Sequence, residues 1–185
     1  AYSDTNSLLL TAIIEAGTGD TYAAAVQRRV ATPLGLTRTY VYDGRDTAGI
    51  LPIHHRDSLT SFPLALASEQ GAGGLVSTRD EQVRVSRAFH AGELFDLERP
   101  RFNRVFFNVD YGGGTMRFQV PRWMMLGARM PELIGHSGWT GSFLFHSREL
   151  GVHLAGTFNQ IDSPVRPFRL LPKLTRIVQA AQDRT

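Results

Sequence analysis

Gly135-His136-Ser137-Gly138-Trp139-Thr140-Gly141-Ser142 leads into Phe143-Leu144-Phe145-His146, then a turn at Ser147-Arg148-Glu149-Leu150-Gly151 and a second apolar run from Val152 to Phe158. Phe143 and Phe145 alternate along the first run, and Val152, Leu154 and Ala155 sit in the second. Two short runs of this kind on either side of a polar, glycine-closed turn predict an antiparallel hairpin. Downstream, Leu170, Leu174, Ile177, Val178 and Ala181 draw one apolar face at helical spacing, so a C-terminal helix should lie on that sheet. The end of the chain is thus expected to be strands closed by a helix.

Working back from the hairpin, Gly112-Gly113-Gly114 breaks the chain ahead of an alternating segment from Met116 to Val120. The stretch 93–111, rich in Arg, Phe and Asp, is ambiguous. Thr78 followed by Glu81 has the form of a capping box, opening a helix through Val83, Val85, Ala88 and Phe89 that should stop near Gly92. Residues 40–62 mix Gly, Pro, Asp and Ser without a sustained period and read as a surface excursion. At the start, Leu8, Leu9, Ala12, Ile13 and Ala16 recur at helical spacing behind Ser3 or Asp4 as N-cap, which predicts a helix over about 5–16 ending at Gly17. Asp20 can cap a second helix through Tyr22, Ala25, Val26 and Val30, terminated by Pro33 before Leu34-Gly35-Leu36-Thr37.

Helices first and strands with a closing helix afterwards predict an α+β domain, mainly helical over 1–111, with a sheet and C-terminal helix over 112–185. Three antiparallel strands under one long helix are thin for 185 residues, so the fold is expected to be incomplete. The chain lacks an initiator Met, which fits processing, trimming or a start inside a larger protein.

Composition narrows the function. An apolar content of 42% belongs to a globular protein, and the net charge of +3 comes from 19 arginines and one lysine, Lys173, dispersed among acids rather than gathered into a stripe. That pattern predicts no nucleic-acid partner. There is no cysteine, hence no disulfide framework or thiolate zinc site. No apolar run approaches the roughly 18 residues that span a bilayer. His54 and His55 are adjacent, His146 and His153 flank a turn, and none has acidic partners at ligand spacing, so neither a metal nor a cofactor is expected.

Two short segments can carry chemistry. Tyr2-Ser3-Asp4 precedes a helix N-terminus, whose positive potential favours a phenolate able to act as general base; equally, Ser3 and Asp4 can cap the helix while Tyr2 packs on its first turn. His136-Ser137-Gly138-Trp139 places a histidine beside a strand edge, with a glycine where another backbone or a ligand can approach and a backbone N–H beyond it that can face an oxyanion. A glycine-rich turn with a partly buried histidine is the structural alternative.

Taken in order, these segments resemble the serine beta-lactamase and penicillin-recognising hydrolase family, in the branch of class C beta-lactamases, DD-peptidases and related esterases. Tyr2-Ser3-Asp4-Thr5-Asn6 is similar to the family's Tyr-x-Asn box, and Pro33-Leu34-Gly35-Leu36-Thr37-Arg38-Thr39 to its PLGLT turn. Gly73-Gly74-Leu75-Val76-Ser77-Thr78 with Asp80 resembles its step into a helix, Gly135 to Ser142 its third box with His136 where many members carry lysine, and Gly156 to Asn159 the end of the next strand. The resemblance implies an acyl-enzyme hydrolase of esters, beta-lactams or D-amino-acid amides. Tyr2, His136 and Trp139 would then be catalytic, and Asp4, Ser137 and Gly138 would contact substrate. Asp4 departs from the box's asparagine by losing an amide donor and adding a charge.

The larger departure is the nucleophile. None of the eleven serines has lysine three residues later, and Ser137 is not in a Gly-x-Ser-x-Gly elbow because Trp139 stands at the second glycine. The resemblance therefore implies a nucleophile supplied by a companion N-terminal segment, with a homodimer as the other way to cover the missing layer. The alternative is a nucleophile-less remnant acting as a binding or interaction module.

Overall fold

The computed structural model describes residues 2–95, 101–106, 108–125 and 127–184. The chain divides into two compact units, Ala1–Ile53 with Ser58–Leu97, and His54–Asp57 with Glu98–Thr185.

The first unit opens with α1 (Asp4–Thr18), which stops where Gly19 adopts a left-handed φ of 71° and donates its N–H to Glu15 O at 2.9 Å. The helix thus runs past Gly17, the expected stop. Ser3 occupies the N-cap position, but its side chain makes no capping bond. The next helix, α2 (Tyr22–Val26), is capped by Thr21, whose Oγ1 accepts from Ala24 N–H at 3.2 Å, and not by Asp20, which pairs instead with Arg28. It continues as a π-helical turn over Gln27–Ala31, and Glu15 ties it to α1 by accepting from Tyr22 N–H at 2.8 Å.

Residues 40–62 are more ordered than their composition suggests. They hold β1 (Tyr40–Val41) and the ribbon of β2 (Ile53–His55) and β3 (Ser58–Thr60). After α3 (Pro63–Ser68) and a short turn, β4 (Leu75–Val76) pairs antiparallel with β1 and delivers the chain to α4 (Arg79–Ala91). Thr78 Oγ1 caps α4 by accepting from Glu81 N–H at 3.3 Å, and Gly92 closes the helix with a φ of 76°.

The Glu81 side chain, expected to return to the cap, does something else. It is buried and accepts from Thr37 N–H at 2.8 Å, Arg38 N–H at 3.1 Å and Thr39 Oγ1 at 2.6 Å. Foremost the Thr39 hydrogen bond, then those from the two backbone N–H groups, hold its carboxyl below the usual carboxylate range. Glu81 therefore latches the 33–39 turn to the start of α4, while the neighbouring Asp80 is exposed and pairs with Arg79.

The second unit contains a six-stranded antiparallel sheet, where three strands were expected. β5 (Asn103–Phe106), β6 (Val109–Gly112), β7 (Thr115–Phe118), β8 (Leu133–Ser137), β9 (Phe143–Ser147) and β10 (Val152–Gly156) lie side by side in chain order. The glycine run 112–114 is the β6–β7 hairpin turn, so the sheet begins well before residue 112. α5 (Arg166–Gln182) covers one face, with Phe168 edge-on to Phe118 and Phe145 at ring distances of 5.0 and 6.2 Å. The core joins Val109, Phe118, Leu133, Phe143, Phe145 and Leu171. The buried row of α5 is Pro167, Leu171 and Thr175, whereas Ile177, assigned to the buried face from its spacing, is 65% exposed.

Four residues of the 40–62 region belong to this second unit because they pair with the segment after β10. His54 N–H donates to Asn159 O at 2.8 Å, and Ile161 N–H returns to His54 O at 3.0 Å.

Candidate active site

Tyr2 stands half-buried just before α1, and its hydroxyl donates to Asp4 Oδ1 at 2.7 Å. The sequence allowed a cap or a substrate contact for Asp4; in the fold it accepts from the phenol. Tyr2 carries its proton toward a carboxylate in this arrangement, so acting as a base requires that bond to open first.

His136 is the next-to-last residue of β8, half-buried, with Nδ1 3.0 Å from Ser137 O. A carbonyl oxygen only accepts, so Nδ1 donates in this contact. The Tyr111 ring meets the imidazole edge-on, with centroids 5.8 Å apart. Ser137 turns its hydroxyl toward Met116 Sδ at 3.7 Å.

The turn beyond β8 is closed by its own backbone. Gly138 N–H donates to Ser142 O at 2.9 Å and Gly141 N–H to Gly138 O at 3.0 Å, with Gly141 at a φ of 76°. A Cβ on Gly138 would meet Ser142 Oγ at 2.6 Å, so the glycine makes room for the turn's own serine. Trp139 sits at the tip, 46% exposed. Phe158 N–H reaches Gly141 O at 3.2 Å and Gln160 N–H reaches Thr140 O at 2.9 Å, which pins the turn to the strand-end segment 156–160.

The structure thus assembles the sequence-singled segments pairwise. The 33–39 turn and the 73–78 step meet through the β1–β4 pair and Glu81; the 135–142 box and the 156–159 segment meet through backbone hydrogen bonds. Tyr2 and Asp4 belong to the first unit, and His136, Ser137, Gly138 and Trp139 to the second. Sequence reasoning missed Tyr111, which fell in the ambiguous stretch 93–111. Its signal was Val109 and Tyr111 before the glycine run, mirrored by Met116 and Phe118 after it, a hairpin pattern of period two.

His146 and His153 lie directly across from each other on β9 and β10, with rings stacked 4.3 Å apart. Burial pushes the His146 imidazole below its ordinary value, against the hydrogen bond of its Nδ1 to Val152 O at 3.1 Å. Among the described residues, no three His, Cys, Asp or Glu side chains form a group able to hold a metal ion, and no helix is long and apolar enough to cross a membrane.

Comparison with known proteins follows the same segments. No curated protein shows a significant match to the chain. Among solved structures, the D-stereospecific amidohydrolase from a Streptomyces species is 27% identical with a TM-score of 0.71, over 88% of this chain and 51% of that one. The D-amino acid amidase from Ochrobactrum anthropi SV3 is 25% identical with a TM-score of 0.77, over 97% of this chain and 57% of that one. The same amidase complexed with D-phenylalanine superposes with a TM-score of 0.76 at 24% identity, over 97% and 61% of the two chains. The chain therefore spans a little over half the length of the solved structures it matches. Their fold agrees with the α+β arrangement of helices, antiparallel sheet and covering C-terminal helix seen here. The family model for beta-lactamase matches residues 1–174, nearly the whole chain and both boxes, and on that extent the chain belongs to the beta-lactamase family.

Proposed function

We infer that the chain is part of a serine hydrolase that cleaves amides of D-amino acids through an acyl-enzyme, with esters and beta-lactams as related acyl donors. The observation that carries this reading is the family match across residues 1–174, joined to the likeness to two amidases specific for D-configured substrates. In this reading Tyr2, once released from Asp4, is the general acid and base toward the attacking hydroxyl. His136 orients the substrate or hydrogen-bonds the tyrosine. Ser137 and Gly138 border the acyl group, and the Trp139 backbone N–H stabilises the oxyanion, a donor of a kind worth about 3 kcal/mol in the transition state.

The nucleophile comes from outside this chain, because no serine here has lysine one helical turn later. A companion segment is the favoured source. Leu9, Leu10 and Ile13 of α1 are 59%, 58% and 65% exposed, which supports a partner surface beside Tyr2, met by that segment or by a second copy.

The reading is tested by extending the coding frame upstream of Ala1 and looking for Ser-x-x-Lys. The longer protein should hydrolyse D-phenylalanine amide, and Tyr2→Phe should lower its kcat by about a hundredfold or more. The 185-residue chain alone should leave nitrocefin and a chromogenic ester untouched. Turnover by the chain alone defeats the missing-nucleophile argument; an upstream frame without Ser-x-x-Lys leaves a binding module.

A further inference from the structure

Along β6 and β7, Asp110 and Arg117 alternate with Val109 and Phe118, which pack toward α5, so the two charged residues face the other side of the sheet. There, within the second unit, lies a groove of about 570 Å3 whose lining includes four guanidinium groups, from Arg104, Arg117, Arg122 and Arg129, against two carboxylates, Asp110 and Glu132. Arg104 Nε donates to Asp110 Oδ1 at 3.0 Å, and Arg117 Nη2 donates to Oδ2 at 2.6 Å. Arg117 is held in place from another side, its guanidinium lying 4.8 Å from the centre of the Phe102 ring.

The positive charge is only partly answered. Arg122 uses Nε on Gly127 O at 3.3 Å, and Arg129 reaches Glu149 at 3.0 Å outside the groove. A guanidinium has five N–H donors, so both retain most of their capacity. Val120 and Pro121 add an apolar wall, and the volume falls in the range of small-molecule sites.

We propose that this groove binds a small organic anion, with its carboxylate or phosphate on Arg117, Arg122 and Arg129 and its body against the apolar wall. The site is separate from the His136 turn. Glu132 and His136 are four residues apart along the β8 line, about 13 Å in extended chain. It does not depend on the hydrolase reading.

The test uses the chain itself, with phenyl phosphate, benzoate and neutral benzamide titrated at fixed ionic strength by calorimetry and by NMR of the arginine Nε–H signals. One or both anions should bind with Kd below about 1 mM, and benzamide at least about tenfold more weakly. Preference for phenyl phosphate marks a phosphorylated ligand; preference for benzoate marks a carboxylic acid. The double variant Arg122→Gln/Arg129→Gln should weaken anion binding about tenfold or more. Equal binding of all three compounds, no anion binding, or anion affinity unchanged in the double variant overturns the proposal.

Discussion

α1 and α5 are apolar-rich helices of similar length, 15 and 17 residues, yet they bury opposite kinds of row. α5 sets Pro167, Leu171 and the Thr175 side chain against the sheet and sends its charges outward. α1 does the reverse: its buried residue is Thr11, flanked by half-buried Ser7 and Glu15, while Leu9, Leu10 and Ile13 lie open. Thr11 sits over Gly71, where even a Cβ would collide with its hydroxyl, so the polar side of α1 is fitted tightly to its own unit. A helix that packs by its polar row and exposes its apolar one is half of an interface. The second unit completes its own core; the first depends on hydrogen bonds such as those to Glu81 and keeps an apolar face for something else.

The contrast breaks first at Leu171. This side chain is fully buried between α5 and the sheet, so Leu171→Ala should cost about 2–5 kcal/mol in the second unit, read from urea unfolding by tryptophan fluorescence. A loss below about 1 kcal/mol would mean that α5 is not holding the sheet by packing.

How much of this was legible follows from which contacts are local. The β9–β10 hairpin, the Thr78 cap and the Gly92 stop are set within a few residues of each other, and the spacing announced them. The expected burial of Ile177 failed for the opposite reason. Helical spacing shows that an apolar row exists, not whether a neighbour covers it. Strands β5 and β6 stayed hidden because Arg104 and Asp110 interrupt their apolar pattern, and the two charges are reconciled only across the strand pair, where they bond to each other. Glu81 was read as half of a capping box because Thr39 and the Thr37 N–H, its true partners, are about forty positions away. For the candidate site, the His136 turn was visible as a motif, whereas the Tyr2–Asp4 bond and the Tyr111 contact needed coordinates.

Acid should separate the two units in sequence, the second before the first. Burial depresses the His146 pKa, with His153 stacked on it and Arg148 adding a like charge, so the native state binds fewer protons there than the unfolded chain. Stability is then complete above the ordinary histidine value of about 6.5 and declines as pH falls below it toward the lower native value. Glu81 is also depressed, by the Thr39 bond first, so its contribution is intact above the ordinary glutamate value of about 4.3 and is lost only as pH falls through its lower native value. Amide exchange followed from pH 7 to pH 3 should therefore show β9 and β10 loosening first, and Thr37 and Arg38 only in the more acidic range. His146→Gln should remove the early phase, and Glu81→Gln should expose Thr37 and Arg38 to exchange already at pH 7.

The smallest effect on stability falls on the most apolar surface. In the chain alone, replacing Leu9 and Ile13 together by Ser touches side chains that already meet water, so the urea midpoint should move by no more than about 0.5 kcal/mol in free energy. The same pair of changes should matter greatly to association, because the area they remove is what a covering segment or a second copy would bury. Sedimentation of the chain over a range of concentrations, with and without the substitutions, separates the two contributions. Self-association abolished by Leu9→Ser/Ile13→Ser assigns the α1 face to a second copy. A monomer in both cases, joined to loss of activity when the same changes are made in a longer protein carrying Ser-x-x-Lys, assigns it to the companion segment. A large drop in stability of the chain alone would mean that α1 already buries this row, and the distinction between the two helices would disappear.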